Sequence, residues 1–156
     1  MTEQQFADQM TPEELAAACS AAMHEKDHCA HAHGMQLLSS TPGRATLSMA
    51  VRRDMVNGHD ICHGGMIFTL ADTAFAHACN NGNHNTVASG CNIDFVGPAR
   101  LGDVLTAEAV ERSQAGRTGV YDITVRNQDG RNVALFRGKS YRIHGHLIPP
   151  HEDFEA

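Results

Sequence analysis

Asp72 is the one carboxylate inside a nearly all-apolar run of nineteen residues, 62–80 (CHGGMIFTLADTAFAHACN). A helix that is apolar on every side belongs in a protein core. A carboxylate on such a helix is expensive to ionise unless something compensates it, which makes it a candidate for chemistry. His63, Gly64 and Gly65 open the same run. Backbone N–H groups at a helix N-terminus have no partners within the helix and sit at the positive end of its dipole. Glycine lets a ligand come close to them, so Gly64 and Gly65 offer a place for a carbonyl oxygen that turns negative during reaction. The same glycines also suit a helix start that must pack closely. Gly64 and Asp72 lie roughly 12 Å apart along one helix at about 1.5 Å rise per residue. One reactive carbonyl cannot touch both. If they serve one substrate, Asp72 must come from a neighbouring subunit whose helix runs antiparallel. Otherwise Asp72 is a buried acid satisfied by backbone or hydroxyl donors, such as the partner's Thr73.

Other residues invite chemistry more weakly. Asn57, in the loop before the helix, carries an amide that can orient a water or a carbonyl, although Asn-Gly is also a plain turn signal. Cys62 and His63 do not form a nucleophile and base, because adjacent residues seldom reach that geometry and no orienting partner is evident. Cys62 reads as packing, and His63 as shaping the turn or donating near a substrate. His24, His28, Cys29, His31 and His33 crowd ten residues without a zinc spacing pattern, so no metal centre is expected. Arg117 and Thr118 sit between Gly116 and Gly119. Such a turn can hold a phosphate, with Arg137 and Lys139 on a neighbouring strand adding charge, although an ordinary turn with solvated cations carries the same residues.

These groups need elements to hold them. Thr11-Pro12-Glu13-Glu14 is a helix start with a capping box. Leu15, Ala18, Cys19, Ala22 and Met23 then mark an apolar face on a helix ending near Lys26. Residues 35–40 and the alternating Leu47, Met49 and Val51 read as strands joined by a Thr41-Pro42-Gly43 turn. After the apolar helix, Asn80-Asn81-Gly82 supplies residues that tolerate a left-handed backbone. Strands follow over 86–96, 105–112, 121–125 and 133–143, with a hairpin turn at 127–130. The predicted class is α+β, an antiparallel sheet curved around one central helix, in a single domain over 1–156 with a loose C-terminal tail.

The whole-chain balance excludes several functions. A net charge of −6 with His neutral argues against a nucleic-acid partner. No apolar run reaches membrane-spanning length, and the N-terminus lacks a secretory pattern. The five cysteines, an odd count without framework spacing, read as reduced thiols in the cytoplasm.

The motifs Asn57-Gly58-His59-Asp60-Ile61-Cys62-His63-Gly64-Gly65 and Leu70-Ala71-Asp72-Thr73-Ala74-Phe75-Ala76 resemble those of the hotdog acyl-CoA thioesterases of phenylacetic acid degradation. The resemblance runs from the N-terminal helix to the last strand. It implies hydrolysis of acyl-CoA esters, with aryl-acetyl groups and their ring-hydroxylated derivatives preferred, in a dimer of dimers with sites shared between subunits. It implies no cofactor, since coenzyme A is part of the substrate. By position it makes Asp72 the acid, Gly64 the oxyanion glycine, Asn57 the polar loop residue and His63 the preceding histidine. A strand hydroxyl falls near Ser89. Gly65, Phe68, Ser89, Arg117 and Thr118 are expected to contact substrate. Two alternatives remain at this point: an acyl-thioester hydratase or dehydratase pairing His63 with Asp72, and a non-catalytic acyl-CoA sensor.

Overall fold

Thr11 starts the first helix in the way its neighbours suggest. Its hydroxyl accepts the Glu14 N–H at 3.2 Å while its own N–H donates to the Glu14 carboxylate at 2.8 Å. Helix α1, Pro12–Lys26, follows in a computed structural model that describes residues 10–148. The expected loose tail from Pro149 onward lies outside the described residues. The buried face of α1 is rotated from the expected one and centres on Ala16, Cys19 and Ser20. Ser20 can be buried because its hydroxyl donates to Ser40 at 2.7 Å, and Ser40 in turn donates to the Ala16 carbonyl at 3.1 Å. The chain also does not stop being helical at Lys26. Asp27 caps a second short helix, α2, His28–Ala32, by accepting the Ala30 N–H at 2.9 Å.

Strands β1 (Gln36–Thr41) and β2 (Arg44–Ala50) form a hairpin. A 3-10 turn at Arg53–Met55 and a loop lead to the central helix α3, Gly64–Asn80. Strands β3 (Thr86–Phe95), β4 (Val104–Ala115), β5 (Thr118–Arg126) and β6 (Asn132–Arg142) complete one antiparallel sheet of order β1-β2-β4-β5-β6-β3. Period-two burial puts Leu47 and Met49 of β2, Leu105, Ala107 and Ala109 of β4, and Ile123 and Val125 of β5 on the inner face. There they surround Leu70, Ala71, Ala74 and Phe75 of α3. This is the hotdog architecture.

The helix exit differs in detail from expectation. Asn81 keeps a right-handed backbone, and Asn83 takes the left-handed turn at φ 65°. Asn80 and Asn81 are structural through their side chains. Asn80 accepts the Thr86 N–H at 2.8 Å and donates to its carbonyl at 3.0 Å, and Asn81 donates to the carbonyls of Thr41 at 2.7 Å and Arg44 at 3.0 Å.

Gly138 on β6 makes room for the core. A Cβ there would lie 2.7 Å from Cζ of the buried Phe75 ring. Gly138→Ala is therefore expected to lower unfolding stability by about 1–3 kcal/mol, the usual range for overpacking, which a shift in denaturant midpoint would measure.

Among the described residues β3 pairs only with β6, leaving its outer edge open along ten residues. Val87, Phe95 and Val96 are exposed on it or just beyond its end. A long apolar edge of this kind is one that proteins ordinarily cover.

Candidate active site

The loop before α3 is pinned from several sides. Asn57 Oδ1 accepts the N–H groups of His59 at 2.9 Å and Ile61 at 3.4 Å, and the Asn57 N–H donates to the Ile61 carbonyl at 2.9 Å. Cys62 and His63 donate to the carbonyls of Ala99 and Met55, both at 2.7 Å. Cys62 is buried, as expected of a packing residue.

His63 caps α3 and disposes of most of its free donors. Its Nδ1 accepts the Gly65 N–H at 3.2 Å, so the neutral ring carries its proton on Nε2. Its carbonyl accepts Met66 at 3.0 Å and Ile67 at 3.4 Å. Among the described residues nothing accepts the Gly64 N–H. One backbone donor is thus left at the dipole-positive end of the helix. The Phe95 ring lies against it, 3.0 Å from where a Gly64 Cβ would be.

Asp72 lies two turns along α3, half-buried. Gly65, Phe68, Thr69, Asp72 and Ala76 recur along a partly exposed stripe. No described residue donates a hydrogen bond to the Asp72 carboxylate. The nearby hydroxyls are committed elsewhere: Thr69 donates to the Gly65 carbonyl at 2.8 Å and Thr73 to the Thr69 carbonyl at 2.7 Å. Burial pushes the Asp72 carboxyl above the usual carboxylate range, which moves a base toward working pH.

Two thiols near Asp72 went unnoticed in the sequence. Cys79 is pushed up to about 12, first by burial and further by the charges of Asp72 and Cys91. The Cys91 thiol is raised by burial and then by Asp72. Helix α3 runs antiparallel to β3, with Gly64 against Phe95 at one end and Asn80 bonded to Thr86 at the other, so Asp72 falls level with Cys91. A bulge at Ser89 decides which β3 residues face the helix, and such a bulge leaves no signal in local sequence.

The remaining predicted residues fall into two groups. Asn57, His63, Gly64 and Gly65 gather at one end of α3. Ser89, Arg117 and Thr118 gather at the other, where Thr118 pairs with Tyr141 and Tyr141 with Val87. Thr118 and the Val125 end of β5 are seven residues apart, about 23 Å of strand. Phe68 lies between the groups, edge-on to Phe136 with ring centroids 5.2 Å apart. Ser89 donates to the Lys139 carbonyl at 3.2 Å, Thr118 to the Ala115 carbonyl at 3.1 Å, and Arg117 Nη1 to the Arg142 carbonyl at 3.3 Å. Arg137 does not join Arg117, because Asp122 holds it at 2.7 and 3.0 Å on the outer face of the sheet. Among the described residues no three His, Cys, Asp or Glu side chains converge as a metal site, and no helix is long and apolar enough to cross a membrane.

One antiparallel sheet curved around a single central helix is the hotdog fold, and the comparisons with known proteins agree with it. Residues 59–134 match the thioesterase superfamily, and the chain belongs to it. Within that superfamily it is 54% identical over 124 residues to the acyl-coenzyme A thioesterase PaaI of Escherichia coli (strain K12), spanning 80% of this chain and 89% of that protein. The solved structure of E. coli PaaI, from the phenylacetic acid degradation operon, superposes with a TM-score of 0.86 at 50% identity, over 87% of this chain and 99% of that one. A mutant form of the phenylacetic acid degradation protein PaaI from Thermus thermophilus superposes with a TM-score of 0.72 at 37% identity, over 75% of this chain and 100% of that one.

Proposed function

We propose that this protein hydrolyses acyl-CoA thioesters in the cytoplasm, with phenylacetyl-CoA and its ring-hydroxylated derivatives as the preferred class, at sites shared between two subunits. The observation that carries this reading is a Gly64 N–H with no acceptor among the described residues, on the same helix as an Asp72 with no donor among them, too far apart to act together within one protomer. The similarity to PaaI of E. coli supports the substrate class.

The open β3 edge suggests the pairing. Two copies of β3 placed antiparallel across a two-fold axis extend the sheet and set the two α3 helices side by side in opposite directions. Each Gly64 end then meets the other protomer's Asp72 flank, and each Arg117 turn approaches the partner's Gly64 end. A second pairing of dimers gives the proposed tetramer. In the reaction, Gly64 N–H polarises the thioester carbonyl. Water attacks while Asp72 of the partner takes its proton, and the tetrahedral oxyanion rests on the Gly64 N–H. Collapse breaks the C–S bond, and the proton returns from Asp72 to the CoA thiolate. Attack by Asp72 itself through an anhydride would use the same geometry. Single-turnover hydrolysis in oxygen-18 water, followed by mass analysis of the protein, separates the routes, since only the anhydride route can place label in Asp72. Arg117 and Thr118 meet the CoA phosphates, and coenzyme A enters only as part of the substrate.

A thiol-release assay across phenylacetyl, hydroxyphenylacetyl, benzoyl and straight-chain CoA esters tests the assignment. The aryl-acetyl esters should give the highest kcat/KM. Binding of these esters without thiol release would refute hydrolysis. Asn57 offers a finer test. Asn57→Asp keeps the Oδ1 that holds the loop and removes the Nδ2 donor, which has no acceptor among the described residues. We expect an unchanged melting temperature and a kcat lower by about tenfold, in line with losing one hydrogen bond of about 1.4 kcal/mol in the transition state.

A further inference from the structure

His77 belongs to α3, yet thioester hydrolysis makes no use of it. Its side chain is fully buried, and neither ring nitrogen has a partner among the described residues. His24, near the end of α1, faces it with ring centroids 6.3 Å apart, and His24 Nδ1 is likewise buried without a partner. His31 of α2 closes the stack, 4.8 Å from His24, and its Nε2 donates to the His24 carbonyl at 2.8 Å. Three imidazoles from three helices thus join the N-terminal hairpin to the central helix. Asp27, between α1 and α2, is the other charged group that acts on His77. The inward residues of the strands packed most heavily on α3 are mostly apolar: Ala45, Leu47 and Met49 of β2, Leu105, Ala107 and Ala109 of β4, and Ile123 and Val125 of β5; the titratable ones are Tyr121 of β5, against Phe75, and Glu111 of β4, which accepts the Tyr121 hydroxyl at 3.0 Å.

Buried polar atoms are ordinarily hydrogen-bonded, and orphaned ones call for an explanation. We propose that the His24–His31–His77 stack is an acid-sensitive latch that docks the α1–α2 hairpin on the central helix near neutral pH and releases it, with the sheet still folded, as the pH falls toward 5. A proton on His77 would place a cation where no described acceptor reaches it and where a second imidazole stands opposite. Asp27 attracts that charge, but its Oδ1 already serves as the cap of α2. The hairpin is free to leave because few of its residues are buried: Ala16, Cys19 and Ser20 on α1, and Ala30 on α2.

The direction of the pH effect follows from the ring's environment. Burial first, and then His24, pull His77 from 6.5 down to about 4, against the opposing pull of Asp27. His77 in the released state takes up a proton as the pH drops through about 6.5, whereas the docked ring stays neutral until about 4. Docking is therefore fully present above 6.5 and is lost progressively between 6.5 and 4. Linkage over that interval predicts an increase in hairpin opening of about 30-fold between pH 7.5 and pH 5.

Hydrogen exchange on the full chain at pH 5.0 and 7.5, corrected for intrinsic exchange, tests the latch. In the unmutated protein, amides of residues 12–32 should open about 30-fold more often at pH 5.0, with β4, β5 and β6 unchanged. His77→Gln keeps a neutral polar side chain at every pH, and His77→Phe fills the space without polar atoms. Each should leave hairpin opening nearly independent of pH. Equal hairpin protection at both pH values in the unmutated protein would overturn the proposal. So would acid release that persists in either folded variant.

Discussion

Asp72→Asn is expected to lower thioester turnover by about a thousandfold or more, within the range for losing a positioned base and above it if Asp72 is the nucleophile. Assembly should be retained, because among the described residues nothing donates a hydrogen bond to this carboxylate. Its stability should move the other way from its activity. A carboxyl whose folded pKa is raised by burial favours the folded state most below its ordinary value of 3.8 and loses that contribution as pH rises through the shifted value. At neutral pH the charge is therefore a burden on the fold. The amide, which cannot ionise, should match or exceed the unmutated melting temperature at pH 7–8 and show a flatter dependence on pH. On the acid side, activity of the unmutated enzyme should begin to fall at a pH above the ordinary carboxylate range, since the base must be ionised to work. Thiol-release kinetics and thermal melts over pH 4–8 make both comparisons. Near-normal hydrolysis by Asp72→Asn would end its assignment as base or nucleophile.

Gly64→Pro should be almost as damaging for a different reason, and it leads to a direct test of the proposed shared site. Position 64 is the first residue of α3, where proline is well tolerated, and His63 before it has φ −59° and ψ 134°, a conformation that proline permits. The substitution therefore spares the helix and removes the Gly64 N–H at its start, which nothing among the described residues accepts. The added ring atoms press on Phe95, whose side chain is 53% exposed and can move. Losing an oxyanion donor ordinarily lowers kcat by about 100- to 1000-fold, whereas Gly64→Ala keeps the donor and should retain most activity. In the proposed dimer, each single variant spoils both sites. In a heterodimer of Gly64→Pro with Asp72→Asn, both defects fall in one site and the other is intact. Doubly tagged heterodimers should therefore regain about half the unmutated turnover per dimer, as two-fold symmetry requires. Heterodimers no more active than their parents would show that Gly64 and Asp72 do not meet across an interface.

Local order was readable where local chemistry sets it. The Thr11–Glu14 capping box, the alternation of Leu47 and Met49, and the helix in the nearly all-apolar run 62–80 each depend on neighbours a few residues away, and the structure contains each of them. The hotdog class follows because a helix this apolar must be wrapped, and the strands before and after it together wrap it. Other features were unreadable for a common reason. Ser20 looks like a surface residue until Ser40 is brought beside it. Helix α2 depends on an aspartate at the end of α1 turning back to cap it. Asn83 rather than Asn80, Asn81 or Gly82 takes the left-handed turn, because Asn80 and Asn81 are held by β3 and by the β1–β2 hairpin.

The chain alone thus decided which residues are capable of chemistry and which element carries them, because side-chain type, helical rise and cap chemistry are properties of short stretches. It also decided that Gly64 and Asp72 stand two turns apart, since the helix has a fixed pitch. Only the folded sheet decided which groups stand beside them. The bulge at Ser89 sets which face of β3 the Cys91 thiol occupies, the pairing of β5, β6 and β3 sends Arg117 and Ser89 to the end away from Gly64, and the docking of α1 sets His24 against His77. Each of these depends on contacts between residues far apart in sequence, which strand register and helix packing settle together.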